Sequence, residues 1–190
     1  MQAQLRNLLV LVLLMIFACA QAFADSTADT ITVFRGAGQS KAFFDKSYGY
    51  AVFPTIGKAA VGIGGAHGKG KVYVGGKYVG DTSMTQVTVG FQAGGQAYSE
   101  IIFFQDKAAF DEFTSGNFEF GAQASAVAIT AGASAQTGTT GTTAGASTTK
   151  NDATTAANYS NGVAVFTVAK GGLMYEASIG GQKFKYTPKK

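Results

Sequence analysis

The chain is poor in thiol and imidazole and lacks indole altogether: Cys19 is its one cysteine, His67 its one histidine, and tryptophan is absent. One cysteine cannot close a disulfide within the chain, so no covalent cross-link of that kind holds the fold. One histidine excludes a multi-histidine metal centre, and without a second thiol a zinc site would have to rest on carboxylates. The absence of tryptophan removes one constituent of the aromatic girdles that mark outer-membrane barrels. A further absence is local. Between Lys46 and Gly80 there is no Asp or Glu, while Lys58, Lys69, Lys71 and Lys77 stand among short apolar, glycine-broken stretches. Unopposed ammonium groups on strand-like sequence make a cationic surface, and such a surface attracts anions.

What is present at the start reads as an export signal. Arg6 supplies the positive end, residues 8–20 form an apolar run too short to cross a bilayer comfortably, and Ala22-Phe23-Ala24 is a small-x-small cleavage site. Cleavage there makes Asp25 the new N-terminus and leaves 166 of the 190 residues, with no thiol. A rival reading takes Ile16-Phe17-Ala18-Cys19 as a lipoprotein signal with Cys19 lipidated; the bulky Phe17 and the good site downstream favour the first. The expectation is an exported protein, periplasmic or secreted, with a peripheral position on the envelope membrane. The organisation expected is a signal peptide at 1–24, a helical segment at 25–46 and a β-rich domain at 47–190. An apolar content of 46%, with 12% aromatic, suits one domain with its own core.

Charge is unevenly placed. The net charge is +4. Residues 25–90 carry seven Lys or Arg against four acids, residues 91–176 three against seven, and residues 177–190 four lysines and no acid. Basic ends flank an acidic middle. For an exported chain the anions to be met are phospholipid headgroups, surface polysaccharides or stray nucleic acid, and a lysine near an anionic membrane is worth about 1 kcal/mol.

Residues 28–44 scatter Ile31, Val33, Phe34, Ala37, Phe43 and Phe44 at helical spacing around Gly36 and Gly38, which predicts two short helices or a helix and a loop. Packing against a sheet and insertion into lipid are both open to that segment. From Tyr48 the period changes to two. Residues 86–104 place Val87, Val89, Phe91, Ala93, Ala97, Ile101 and Phe103 on one face and Thr88, Gln92, Gln96, Tyr98 and Glu100 on the other, as one long bent strand or two with glycines at the bend. Asp106 is placed to cap a short helix over 107–114. Residues 118–131, 162–169, 172–179 and 182–186 alternate again, the last three joined by Gly171-Gly172 and Gly180-Gly181 in the manner of hairpins. Residues 133–157 are almost entirely Thr, Ala, Gly, Ser and Asn, which predicts a long mobile loop.

Motifs for bond-making chemistry fail on inspection. Gly65 to Lys71 fits GxxxxGK, but Val72 replaces the hydroxyl a metal-nucleotide needs, and Val72-Tyr73-Val74 continues as strand instead of opening a helix. A glycine-rich hairpin tip with two lysines, His67 solvated among them, is the better reading. Ser147 to Lys150 fits SxxK inside the low-complexity stretch, where no rigid oxyanion hole can be held. Asp106, Asp111 and Glu112 belong to a solvated short helix, and a paired-carboxylate site from Glu100 and Glu119 has no further signature behind it.

Four blocks carry a family likeness: Tyr48 to Lys58 (YGYAVFPTIGK), Val61 to Gly65, Gly90 to Gln96 (GFQAGGQ), and Tyr159-Ser160 through Lys170-Gly171-Gly172-Leu173. Together, spanning about 42–186, they resemble the SYLF-domain lipid-binding family, most closely its exported bacterial branch. The resemblance implies a compact β-rich domain with small helices, binding to anionic phospholipids, and no catalysis; its eukaryotic relatives bind phosphoinositides and, in fungi, actin. The family's basic position after the FP motif matches Lys58. Ala59, Ala60 and Val61 depart from the paired glycines and Phe of many relatives.

The expected fold is therefore α+β and predominantly antiparallel, a curved or barrel-like sheet with a few short helices. The expected function is non-catalytic, peripheral binding of an anionic phospholipid surface through Lys58, Lys69, Lys71 and Lys77, with no cofactor, nucleotide or nucleic acid and with any protein partner unspecified. Two alternatives stand beside it: a small outer-membrane β-barrel, and a structural or adhesive envelope protein that binds a partner through its Thr-rich loop. The C-terminus Pro188-Lys189-Lys190, which is no aromatic strand end, speaks against the barrel.

Overall fold

A computed structural model describes residues 26–121, 124, 126–129, 158–170 and 179–190. The signal segment, the low-complexity stretch at 133–157 and, except for Ile179, the expected strand at 172–179 lie outside the described residues. Two helices come first, α1 (Thr27–Gly36) and α2 (Gly38–Lys46), then a hairpin of β1 (Gly49–Val74) and β2 (Lys77–Phe104), helix α3 (Lys107–Thr114), and the strands β3 (Val127–Ile129), β4 (Val163–Lys170) and β5 (Gln182–Pro188).

Local chemistry sets the helix ends. The Ser26 side chain accepts a hydrogen bond from the Asp29 backbone N–H at 3.1 Å, satisfying one of the free donors of α1. The extended residue Ala37 breaks the helix, and the buried Ser40 hydroxyl donates back to the Phe34 carbonyl at 2.6 Å, locking α2 to α1. Asp106 caps α3 as its position predicts, accepting from Ala109 N–H at 2.9 Å.

The hairpin dominates the molecule. At about 3.4 Å per residue, a straight β2 of 28 residues would run roughly 95 Å. A compact chain of this size has a radius of gyration of about 16 Å, so the hairpin has to curl over. Its pairing shifts between Phe53 and Ile56, Val61 and Ile63, and Val72 and Tyr73, where irregularities let it bend. The second half of β1 then crosses close over the first. A Cβ on Gly68 would lie 2.6 Å from Ile56 Cγ1, and one on Gly70 would lie 2.6 Å from the Val52 carbonyl oxygen, so only glycine permits this approach.

One edge of β2 carries β1 along its length; the other is shared, with Ala97–Phe104 pairing β4 and Gly80–Gln86 pairing β5. The pairing is antiparallel throughout except between β3 and β4, which run parallel. The expected α+β, β-rich architecture is the one observed, and of the curved and barrel-like forms expected the sheet takes the open, curved one. β4 and β5 both add to β2, and the strand expected between them, on which the hairpin reading of the last third turns, lies outside the described residues except for Ile179. Among the described residues of 118–131, regular strand is β3, with an isolated bridge between Glu119 and Lys183.

Curling gives the sheet two buried layers. Inside the curl, Phe53, Ile56, Val72, Met84, Ile102, Phe104 and Phe184 pack with Phe113 of α3. On the outer face of the other end, Phe34 and Phe43 from α1 and α2 cover Tyr50, Val52, Ile101, Phe103 and Phe166. Phe43 meets Phe166 edge-to-face with centroids 5.1 Å apart, a geometry that adds about 0.5–1.5 kcal/mol beyond its area. The apolar residues of 28–44 are thus largely spent on the sheet, which favours packing over the lipid-inserting alternative.

Candidate functional site

The helices cover only part of the outer face. Beyond them, the second half of β1, the first half of β2 and β5 form a three-stranded slab in which residues 64–72, 80–87 and 182–185 alternate between buried and outward-facing. The register aligns the outward side chains in rows. His67 of β1 stands opposite Thr85 of β2, which stands opposite Lys183 of β5. Lys69, Ser83 and Lys185 form the next row, and Lys71, Asp81 and Thr187 the third. Directly opposed side chains share a face with Cβ atoms about 5 Å apart, and rows repeat every second residue, about 6.8 Å along the strands. The slab is thus a grid of ammonium groups around hydroxyls.

Acids temper this grid without cancelling it. Asp81 lies across from Lys71 and accepts a hydrogen bond from the Tyr78 hydroxyl, which holds that phenol above its usual range. Lys183 Nζ is 3.3 Å from Glu119 Oε2, an exposed pair worth little in water. Lys71 and Lys189 both sit over the Tyr78 ring, at 5.5 and 5.6 Å from its centre. Lys69 and Lys185, flanking Ser83, have no acid opposite them in the register.

The four lysines singled out by sequence are therefore divided. Lys69 and Lys71 share the outer face. Lys58 follows Ile56 on the inward side of β1 and lines a shallow open groove with Gly57, His67, Gly95 and Gln96 at the bend. Lys77 pairs with Val74 beside the Gly75-Gly76 turn, on the opposite side of the strand from Tyr78. Residues 65–71 are no hairpin tip: they lie within β1, and the turn comes later, at Gly75-Gly76. Lys183 and Lys185 complete the slab and were not singled out. Their signal was present in the acid-free C-terminal segment and in the alternation of Gln182-Lys183-Phe184-Lys185; what the sequence does not print is that β5 docks on the first half of β2.

The interior holds a different polar group. Glu100 is fully buried: the polar strand face on which the sequence places it is, with Tyr98, the inside of the curl. Gln182 Nε2 donates to Glu100 Oε2 at 3.1 Å and to the Tyr98 hydroxyl at 3.2 Å. Burial pushes the Glu100 carboxyl up to about 8, although the Gln182 hydrogen bond pulls the other way. The Tyr98 phenol is raised by burial and by the neighbouring Glu100. A perturbed carboxyl commonly marks a reactive site, but this one is sealed among core side chains. Glu119 is on the surface with Lys183, so the two carboxyls do not form a pair across a cleft. Among the described residues no cluster of three or more His, Cys, Asp or Glu is placed to hold a metal.

A family model, Ysc84, described as "Las17-binding protein actin regulator", matches residues 85–187, more than half of the chain. The chain belongs to the Ysc84 family. This is the SYLF family of the sequence resemblance. The chain is also 32% identical, over 164 residues and 84% of its length, to a protein of Aeromonas veronii named "Beta cell expansion factor A", and it spans 54%, about half, of that protein. The Ysc84 match begins at Thr85 and takes in β4 and most of β5, and with them Lys183 and Lys185. Lys58, Lys69, Lys71 and Lys77 precede it.

Proposed function

We propose that this member of the Ysc84 family is an exported domain that binds anionic phospholipid membranes peripherally and without catalysis. The observation that supports it is the outer slab: rows of lysine and hydroxyl side chains on a three-stranded surface that none of the described helices covers. Lys69, Lys71 and Lys185 supply attraction, Ser83 and Thr85 offer hydroxyls to phosphate oxygens, and the strands beneath hold the array in register. Ammonium groups of this kind act as point charges that suit a fluid layer of headgroups better than a planar, bidentate ligand.

The slab also weighs against the membrane-spanning barrel. Such a barrel turns apolar side chains outward to lipid and polar ones to its lumen. Here Val72, Met84 and Phe184 face inward while Lys69, Ser83 and Lys185 face outward, the inverse pattern. Sedimentation with vesicles tests the proposal. Vesicles of phosphatidylglycerol should carry the chain down and those of phosphatidylcholine should leave it in solution, and the Lys69→Glu, Lys185→Glu double variant should stay in solution with both. Equal binding to neutral and anionic vesicles, or binding unaffected by the double reversal, would refute it.

A further inference from the structure

Two large apolar side chains stand exposed among the described residues, Val87 at 74% and Val33 at 43%. Val33 lies on α1, whose Arg35 is drawn over the Phe44 ring at 4.3 Å. Val87 lies on β2, two residues beyond Thr85 and on the same outward face as Ser83 and Asp81. Its isolation follows from the register. Across the sheet on one side it faces Gly65, which has no side chain, and on the other side β5 has already ended, its last pair being Gln86 with Gln182. Among the described residues, the valine therefore projects past the edge of the slab with no side chain opposite it in the register. The row of His67, Thr85 and Lys183 is about 6.8 Å away along the strand, and that of Lys69, Ser83 and Lys185 is about 14 Å away.

An apolar side chain standing clear of its own sheet and backed by cations on one surface matches the layering of an anionic bilayer, where charge lies outside and hydrocarbon inside. We infer that the slab docks face-down on an anionic phospholipid bilayer and that Val87 is its apolar anchor, entering between headgroups while Lys69, Lys183 and Lys185 rest on the phosphates. The inference rests on the membrane-binding reading above and adds the orientation and the inserting residue. It also separates this face from the α1 surface that presents Val33.

The absence of tryptophan makes the test direct. The single variants Val87→Trp and Val33→Trp each place one indole in the full chain. On phosphatidylglycerol vesicles the fluorescence of the Val87→Trp variant should shift to the blue and be quenched by lipids brominated near the headgroup end of their chains, while that of Val33→Trp stays unchanged. Val87→Asp should weaken vesicle binding at least tenfold with an unaltered melting curve, since the side chain supports no packing. A blue shift at position 33 without one at 87, or a Val87→Asp variant that binds as tightly as the unsubstituted chain, would overturn the orientation and leave membrane binding intact. A dimer in solution that Val87→Asp dissolves, with vesicle binding unchanged, would assign the face to a second copy and overturn it too. Failure of the unsubstituted chain to bind anionic vesicles would overturn the underlying reading and this inference with it.

Discussion

Glu100 places a carboxyl where no cation among the described residues offsets it. It is fully buried, its Oε1 and the Oε1 of Gln182 have no hydrogen-bond partner among the described residues, and burial raises its pKa to about 8. In the unfolded chain the group would titrate near 4.3. The folded state therefore holds a proton that the unfolded state releases between those values. Because the unfolded state binds fewer protons across that window, stability falls as pH rises, by up to about 1.4 kcal/mol per pH unit. It is greatest below the unfolded value and levels off above about 8. Denaturant unfolding of the Glu100→Gln variant, which keeps the shape and cannot ionise, should show this slope flattened and stability raised at pH 8; a slope equal to that of the unsubstituted chain would exclude Glu100 as its source. Among the described side chains of 86–104, the alternation read from the sequence holds, with Ile101 and Phe103 on one face and Tyr98 and Ile102 on the other. The sequence could not say that the face bearing Glu100 is the inside of a curl, although the unbroken apolar run Ile101-Ile102-Phe103-Phe104 is what a strand buried on both sides looks like. The same ambiguity hid Val87, which shares a geometric face with Ile101 and Phe103 but lies beyond the reach of the helices that cover them.

At the level of elements, the legible features were those set by neighbours in sequence: the two short helices, the Asp106 cap, α3, and the period-two strands from Tyr48 onward. What was not legible depends on segments far apart in the chain, above all the curl of β1 and the docking of β5 on β2. Glycines mark the curl, but a glycine needed for close approach and one that is merely tolerated look alike in sequence. Gly70 and Gly57 show the difference. A Cβ at Gly70 would fall 2.6 Å from the Val52 carbonyl oxygen and 2.7 Å from the buried Phe53 ring, whereas one at Gly57 would meet nothing within 4 Å. Gly70→Ala should therefore destabilise by about 1–3 kcal/mol, as overpacking does. Gly57→Ala should be neutral or slightly stabilising, since alanine costs less entropy in a strand. Equal unfolding midpoints for the two variants would mean that the halves of β1 do not press together as described.

The whole molecule separates its tasks by surface. Helices seal one end of the outer face, the curl encloses the aromatic core, and the uncovered slab is left to carry charge. That division dictates how the proposed membrane binding should respond to salt. Each slab lysine near an anionic surface contributes about 1 kcal/mol, and the Debye length shrinks from about 10 Å at 0.1 M to about 3 Å at 1 M. Those contributions should then fade together while the burial of Val87 persists. Affinity for phosphatidylglycerol vesicles should fall by about tenfold or more over that range, equivalent to about 1.4 kcal/mol or more. The residue of binding left at 1 M should vanish in the Val87→Asp variant, because only the apolar contact survives screening. A membrane-spanning barrel would stay in the bilayer at every salt concentration. Affinity that is flat with salt would therefore deny the slab its electrostatic role, and a residual binding indifferent to Val87→Asp would place the apolar contact elsewhere on the molecule.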